Sequence, residues 1–381
     1  MAEMKEIKKI HLYEFHKTQA HLEEYAGFEM PMWYEGIISE HIAVRNSVGI
    51  FDITHMGRCL VEGKNAASFL DHCITRDIGA FNVKQGKYCL MCNEQGGIVD
   101  DLVIFCLDEN QFVLIYNAIN RSKDIEWLHR QSGKFQVDIN DISDNSAMFA
   151  VQGPRAINTL QPIINIDLAS LRYFWGKWAV TDNQRIWVSR TGYSGEDGFE
   201  LLLWDIPSSE PENAILLWQR IMDSGRRYEI KSCGLGARDT LRQEAGFILY
   251  GNDIDESTSP YEAGLDFAVQ LEKRDFVGKN ALVADRNDKV KRIRVGLKAL
   301  SQRVPRSGSK ILLENAEIGC LTSGTFSPLL KHGIGMGYVP IEHKRIGTKL
   351  EIKVKNSIIP AEIVSMPFYD ETKYGRKRKA L

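Results

Sequence analysis

Two adjacent aspartates, Asp100 and Asp101, stand in the stretch GGIVDDLVIF at residues 96–105. The apolar β-branched residues around the pair favour a strand, and the two glycines favour a turn before it. Because successive side chains of a strand point to opposite faces, we expect the carboxylates to face apart and not to form a catalytic pair. Strand alternation places Asp100 with Ile98, Leu102 and Ile104, and Asp101 with Val99, Val103 and Phe105. Either one aspartate faces solvent and the other caps a nearby turn, or one of them is a functional carboxylate held in an apolar pocket.

Further polar residues stand in similarly apolar or glycine-bounded settings. Glu200 lies within GFELLL, and Arg238 opens a predicted helix on its apolar side. Tyr88, Tyr193 and Asn117 lie on or beside predicted strands. Each of these alone is more often structural than functional. Together, two carboxylates, an arginine and aromatic rings would suit a flat heteroaromatic ligand with an amidine-like edge, since a carboxylate can accept two parallel N–H bonds.

Motifs for other chemistries are missing from the sequence. GLGARD has two glycines of the dinucleotide fingerprint but lacks the third, and there is no P-loop motif, so we expect no nucleotide cofactor. The nine histidines show no metal-ligand spacing, and the pair Cys89 and Cys92 has no partner pair at zinc spacing. We therefore expect no metal, and we interpret the two cysteines as small buried residues.

Length and composition are those of an ordinary globular protein. The 381 residues indicate two or three domains, and 44% apolar residues provide for a sizeable core. A net charge of -2 argues against a nucleic-acid or membrane-surface protein dominated by charge. The seven scattered cysteines and the start of the chain, which resembles no signal or transit peptide, predict a cytoplasmic protein. The basic run from Arg376 to Lys379 is interpreted as a solvated tail.

The elements that position these residues alternate between strands and helices, which favours an α+β fold over a doubly wound sheet. We predict helices around residues 11–24 and over GIISEHIAVRNSVG, with GFEMPMWY as a loop between them. KYCLMCNEQGGIVDDLVIF is predicted to be a hairpin, and GLGARDTLRQEAG a helix that ends at Gly246. ADRNDKVKR is a candidate linker, after which short strands with turn residues indicate a small β-barrel or sandwich.

Along essentially its whole length the sequence resembles the T-protein family of the glycine cleavage system, which are tetrahydrofolate-dependent aminomethyltransferases. The matching stretches, in order, are YEFHKTQA, GFEMPMWY, FDITHMG, GGIVDDLVIF, FAVQGP, RTGYSGEDGFE, GLGARDTLRQEAG, LYGNDIDE, TSGTFSP, GIGMGYVP and MPFYD. The resemblance implies a three-domain cloverleaf. Two interleaved α+β lobes that bind folate would occupy residues 1–283, and a C-terminal β-barrel residues 290–381.

The resemblance also implies a reaction and its participants. An aminomethyl group on the dihydrolipoyl arm of a lipoylated H-protein would give its carbon to tetrahydrofolate, which acts as the co-substrate. The products would be ammonia, 5,10-methylenetetrahydrofolate and the reduced arm. No metal, nucleotide, nucleic acid or membrane would take part.

Matched by motif, Asp101 is the expected catalytic carboxylate near the reacting folate nitrogens. We favour an electrostatic and positioning role for it over that of a true base. Glu200 is the expected acceptor from the pterin edge. The other expected folate contacts are Arg238, Tyr193, Asn117, Met56, Tyr88 and Tyr374.

Two alternatives belong to the same superfamily. One is another tetrahydrofolate-dependent C1 transferase, such as a demethylase, which should differ at the aspartate pair or in RTGYSGEDGFE. The other is a non-catalytic folate-binding assembly factor with the signature K-G-C-[YF]-x-G-Q-E. Cys233 lies instead in KSCGLGARD, which does not match that signature.

Overall fold

The computed structural model describes residues 7–181, 184–288 and 290–378. Within these ranges the strands are β1 Lys8–Lys9, β2 His21–Tyr25, β3 Phe28–Trp33, β4 Gly49–Asp52, β5 Gly57–Glu62, β6 Gly86–Cys92, β7 Ile98–Asp108, β8 Gln111–Tyr116, β9 Asp138–Asp141, β10 Ser146–Gln152, β11 Gly176–Thr181, β12 Gln184–Ser189, β13 Gly198–Trp204, β14 Lys231–Ser232, β15 Arg292–Ala299, β16 Lys310–Leu313, β17 Ala316–Ser327, β18 His332–Pro340, β19 Lys349–Val354 and β20 Ser357–Val364. The α-helices are α1 Tyr13–His16, α2 Ile37–Asn46, α3 Ala66–Cys73, α4 Arg121–Gln131, α5 Ala156–Leu160, α6 Glu212–Gly225, α7 Leu235–Glu244, α8 Pro260–Ala263 and α9 Lys279–Asp288.

Two mixed sheets form the larger part of the fold. The first lobe is the five-stranded sheet β6-β7-β8-β5-β9 with α3 and α4, and the second lobe is the six-stranded sheet β11-β12-β13-β10-β4-β14 with α5 and α6. Phe105 and Ile115 of the first sheet pack with Phe51, Met148 and other residues of the second in one shared core. The two sheets therefore face each other, and side chains on these inner faces meet between the lobes.

The two lobes are interleaved along the chain. Strand β4 precedes the whole first lobe in sequence, yet it pairs with β10 on one side and with the short strand β14 on the other. A small three-stranded sheet, in the order β1-β3-β2, packs beside α7.

The C-terminal strands close a barrel in the order β15-β18-β17-β16-β19-β20. Its interior is filled by alternate apolar residues such as Leu297, Ile311 and Ile352, as the period of two along each strand requires. The mixed α/β architecture and the closed barrel confirm the fold class that the resemblance implies.

A buried ionic network joins the lobes to the barrel around α7. Glu244 accepts hydrogen bonds from Arg45 at 3.1 Å and from Ser327 of the barrel at 2.5 Å. Arg45 also pairs with Glu196 at 3.1 Å, and Arg378 contacts the other oxygen of Glu196. Three parts of the chain that are far apart in sequence thus share one set of buried charges.

The predicted helix over residues 11–24 is wrong beyond its first turn. Strand β2 begins at His21, and Ala26 and Gly27 have φ values of 52° and 82°, which form a tight hairpin turn into β3. The predicted loop GFEMPMWY is therefore strand β3. Pro31 is tolerated there because β1 pairs only with Phe28 and Glu29, so its missing N–H faces no partner strand.

Two predictions near the C-terminus also need correction. The candidate linker ADRNDKVKR is helical in its first half, because α9 extends to Asp288. Arg376 and Lys377 are exposed as a solvated tail requires, but Arg378 is half-buried against Glu196. Lys379 lies outside the described residues.

No helix within the described ranges is long and apolar enough to cross a membrane.

Candidate active site

The aspartate pair lies near the start of β7, where a bulge interrupts the pairing with β6. Met91 pairs with Asp100, and the next residue, Cys92, pairs with Ile98, so that Val99 is the extra residue. A bulge of this kind shifts the alternation of side chains by one position. The bulge lies directly before Asp100 and Asp101.

The carboxylates start on opposite faces of β7, as predicted, but two of the predicted neighbours are wrong. Leu102 packs in the core beneath α4, which is also the side that Asp100 faces. Asp101 is on the face that points between the lobes. Before the bulge the side chains lie on the faces opposite to those predicted. Val99 packs with Leu102, and Ile98 packs in a separate core.

One amide joins the two aspartates. Asn117 follows β8, and its Nδ2 donates to Oδ1 of Asp100 at 2.8 Å and to Oδ1 of Asp101 at 2.9 Å. It also lies 3.1 Å from the backbone oxygen of Asp101, and its own backbone N–H donates to Asp100 at 3.1 Å. Although they face opposite sides of the strand, the two aspartates share this donor and are close enough for the charge of Asp100 to act on Asp101.

The electrostatic setting makes Asp101 a group that titrates near neutrality. Burial, followed by the charge of Asp100, raises the pKa of Asp101 to about 7, although the nearby Tyr88 hydroxyl and the hydrogen bond from Asn117 act to lower it. Asp100 is fully buried, and burial also raises its pKa. At neutral pH Asp101 can therefore both accept and release a proton.

Two tyrosines border the Asp101 side of the site. Tyr88 of β6 stacks on Phe267 with ring centroids 5.9 Å apart, and its buried hydroxyl is influenced by the charge of Asp101 but has no hydrogen-bond partner among the described residues. Tyr193 donates its hydroxyl to the backbone oxygen of Ile248. Burial raises the pKa of both tyrosines, so both stay neutral donors.

Arg238 and Glu200 form the opposite side. The guanidinium of Arg238 lies 4.8 Å from the ring centroid of Tyr193, and its Nη2 is 3.7 Å from Sδ of Met56. Glu200 of β13 accepts from Oγ1 of Thr191 at 2.5 Å. Burial raises the pKa of Glu200, while Thr191 and the charge of Arg238 act to lower it.

A rigid turn holds Met56 in place. The fully buried Arg58 donates to the backbone oxygens of Thr54 at 2.9 Å and of Met56 at 2.7 Å. His55 between them is buried, and burial lowers its pKa to about 3, so it is neutral. This turn, FDITHMG in the sequence, supplies one wall of the site.

Contacts or charge interactions link seven of the eight predicted site residues to one another, but no contact with them is described for Tyr374. Among the described contacts of Tyr374 are its backbone N–H to Asp370 and the guanidinium of Arg378 at 5.8 Å from its ring. The neighbouring Arg376 lies 3.6 Å from the ring centroid of Tyr173, whose hydroxyl is influenced by the charge of Glu200. The C-terminal tail therefore approaches the Glu200 side through Arg376.

Sequence reasoning missed residues that support the site from behind. Thr191, Tyr173 and Phe267 contact or influence predicted residues, and Asp124 of α4 reaches Asp100. Thr191 could have been found, since it lies in the motif RTGYSGEDGFE two residues before Tyr193. Asp124 carries no such signal, because an Asp near the start of a helix is usually solvated. In the described ranges no group of His, Cys, Asp and Glu side chains could hold a metal ion.

Family profiles, related sequences and a solved structure match this chain over nearly its whole length. The family profile described as the GCVT N-terminal domain matches residues 12–273, and that of the glycine cleavage T-protein C-terminal barrel domain matches residues 292–370. An aminomethyltransferase from Caldanaerobacter subterraneus subsp. tengcongensis is 41% identical over 365 residues, covering 95% of this chain and 96% of that protein. A probable aminomethyltransferase from Pyrococcus furiosus is 41% identical over 397 residues, covering 98% and 99%. The crystal structure of glycine cleavage system aminomethyltransferase T from Bartonella henselae has a TM-score of 0.89 at 33% identity, covering 97% of this chain and 100% of that one.

Proposed function

This chain belongs to the T-protein family of the glycine cleavage system, and from that membership we infer that it is a tetrahydrofolate-dependent aminomethyltransferase. Relatives over nearly the full chain carry that name, which favours this function over the demethylase and assembly-factor alternatives. As a member of the glycine cleavage system it works with a protein partner. We propose that this partner is the lipoylated H-protein, whose arm presents the aminomethyl group.

The reaction requires an enzyme group that stabilises the positive charge that develops at the transferred carbon. The C–S and C–N bonds of the aminomethyl group break, and two bonds from that carbon to folate nitrogens form. The two protons lost by those nitrogens end on the thiol and on the departing ammonia. Tetrahydrofolate supplies the two nitrogens.

The observation that carries the proposal is the position of Asp101 on the face between the lobes, where Asn117 donates to it and where burial and Asp100 raise its pKa to about 7. In its ionised form Asp101 would stabilise the positive charge at the transferred carbon. A carboxylate that titrates near pH 7 would also accept a proton from the attacking amine and release it toward the leaving ammonia. This adds proton transfer to the electrostatic role that we favoured from the sequence.

We propose that Glu200 and Arg238 orient the pterin. Among the described donors, Thr191 occupies one oxygen of Glu200, which leaves the other to accept from the amidine-like edge of the ring. Arg238 lies against Tyr193 and Met56, so it can line the pocket as a planar wall. Tyr88 and Asn117 would form the wall beside the reacting nitrogens.

The experiment that tests the function is a two-substrate assay. Aminomethyl-loaded, lipoylated H-protein and tetrahydrofolate are mixed with the enzyme, and ammonia and methylenetetrahydrofolate are measured together. Equal amounts of both products are expected. Turnover with free methylated amines but not with the loaded H-protein would reject the proposal in favour of a demethylase.

We further propose that the C-terminal barrel contributes to the folate cavity through residues 366–374, including Tyr374. A ligand that binds only the assembled state stabilises that state. Hydrogen exchange with and without tetrahydrofolate should therefore show protection in this segment as well as around Asp101 and Glu200. Protection confined to the two lobes would remove Tyr374 from the site.

A further inference from the structure

Behind the aspartate pair lies a third carboxyl, that of Asp124. Helix α4 begins at Arg121, directly after the three-residue turn that follows Asn117, and it brings the Asp124 carboxyl within hydrogen-bonding reach of Asp100. Both side chains are fully buried, each with 0% of its surface exposed. Neither oxygen of Asp124 accepts from any N–H or O–H group among the described residues.

Two buried carboxyls within hydrogen-bonding reach of each other cannot both be ionised, because two negative charges so close together repel strongly where water is excluded. They share one proton instead, as paired acids do in aspartic proteases. Asp100 has two donors, the backbone N–H and the side-chain amide of Asn117, so it is the partner that is stabilised as an anion. Asp124 has none, so the proton resides on Asp124 and is donated to Asp100.

The surrounding charges agree with this assignment. Burial, and then the charge of Asp100, raises the pKa of Asp124 well above its usual value, and Asp101 acts in the same direction. Lys123 on the same helix is the cation that opposes them, but its ammonium donates to the Val99 carbonyl at 2.6 Å and to the Tyr250 hydroxyl at 2.8 Å. The Tyr250 hydroxyl, whose pKa is itself raised, stays neutral.

We propose that Asp124 is a positioning residue for the transfer reaction, acting as a neutral carboxylic acid that donates to Asp100. Asp100 in turn fixes the amide of Asn117 in the orientation from which it donates to Asp101 at 2.9 Å. Asp124 thus acts on the reacting carboxylate of Asp101 through two intervening side chains, those of Asp100 and Asn117, and does not itself touch substrate. The inference rests on the proposed role of Asp101.

The first test compares an isosteric donor with an apolar residue. Asp124→Asn keeps an N–H donor for Asp100, so its kcat should remain within about threefold of wild type with an unchanged pH midpoint. Asp124→Leu removes the donor, so its kcat should fall at least tenfold and its pH midpoint should move, whereas KM for tetrahydrofolate changes little. If Asn is as damaging as Leu, or if Leu is harmless, the proposal is overturned.

A second test needs no turnover and detects the proton directly. In the Asp101→Asn background, which removes the other carboxyl that titrates near neutrality, infrared spectra at pH 8 should contain the C=O band of a buried protonated carboxyl. Adding Asp124→Asn should abolish that band. Persistence of the band, or its absence before the second substitution, would contradict the proposal even if Asp124→Leu fails to fold. Should the wild type fail to transfer the carbon at all, the proposed function fails, and this spectrum still decides the state of Asp124.

Discussion

Asp101 combines a half-buried position with a pKa of about 7, so its charge changes near neutral pH. If the ionised form stabilises the transferred carbon, kcat should rise with pH through about 7. The same shift has a consequence for stability. The folded pKa lies above the unfolded value of about 3.9, so the protonated group favours the folded state and this contribution is lost as pH rises through about 7.

Asp101→Asn should therefore reduce turnover by at least about 100-fold and raise stability at alkaline pH. At pH 8 the variant should unfold at higher urea concentration than wild type, because it no longer holds a half-buried charge beside Asp100. At pH 5 the difference should shrink. Urea unfolding at both pH values, together with the product assay, checks this. The assignment is reversed if Asp100→Asn reduces turnover more than Asp101→Asn while remaining folded.

Glu200→Gln should weaken tetrahydrofolate binding by about 2 kcal/mol or more, which is roughly 30-fold in Kd, because one partner of a buried charge-assisted pair is lost. Without ligand its melting temperature should hold or rise, since burial raises the pKa of Glu200 and its charge is costly. Calorimetry of folate binding measures the first effect. Thr191→Val is the matched control, and it should cost less because it removes a donor but keeps the carboxylate. Unchanged affinity in Glu200→Gln would remove Glu200 from the site.

At the scale of elements, local pattern predicted most strands and helices but missed what depends on a distant partner. The hairpin of β6 and β7 follows from its turn glycines and apolar runs. Its bulge at Val99 does not, because only the pairing with Met91 and Cys92 defines it. The strand β3 was mistaken for a loop because of Pro31, which is acceptable only where the neighbouring strand has ended.

The start of β7 requires a glycine, because another segment of backbone lies where a side chain would be. A Cβ at Gly97 would lie 1.7 Å from the backbone oxygen of Glu256. Gly97→Ala should therefore displace the start of β7 and lower stability by about 3 kcal/mol, with a loss of kcat in the folded fraction. Gly133→Ala is the control, because nothing lies within 4 Å of its Cβ position. Equal melting temperatures for the two variants would contradict the proposed close approach.

At the scale of the whole molecule, the short strands after residue 283 indicated the barrel, and the family resemblance supplied its place beside the lobes. What neither supplied is the network of buried charges. Arg378 donates to the backbone oxygen of Arg45 at 2.9 Å across most of the chain length, and no local pattern reports such a contact. The basic tail therefore looked solvated in sequence although one of its cations is structural.

Glu244 is the residue of this network that touches both a lobe and the barrel. Burial acts to raise its pKa, but His41, Arg45 and Ser327 hold it below its usual range. Glu244→Gln should lower the free energy of unfolding by about 3 kcal/mol, because Arg45 is left with less compensation. Glu362→Gln, which breaks the more exposed pair with Lys349, should cost less than about 1 kcal/mol. Urea unfolding of both variants makes the comparison, and similar losses would show that the network is not specially stabilising.

The interleaving of the lobes also dictates the order in which a newly made chain can fold. Strand β4 leaves the ribosome before the entire first lobe, and it must wait there for β10 and then β14 before both of its edges are paired. Glu196 receives its second cation only when Arg378, 182 residues further along the chain, has emerged. The growing chain therefore holds an open edge on β4 until β14 has been made, and Glu196 has Arg45 but not Arg378 beside it until the tail has emerged.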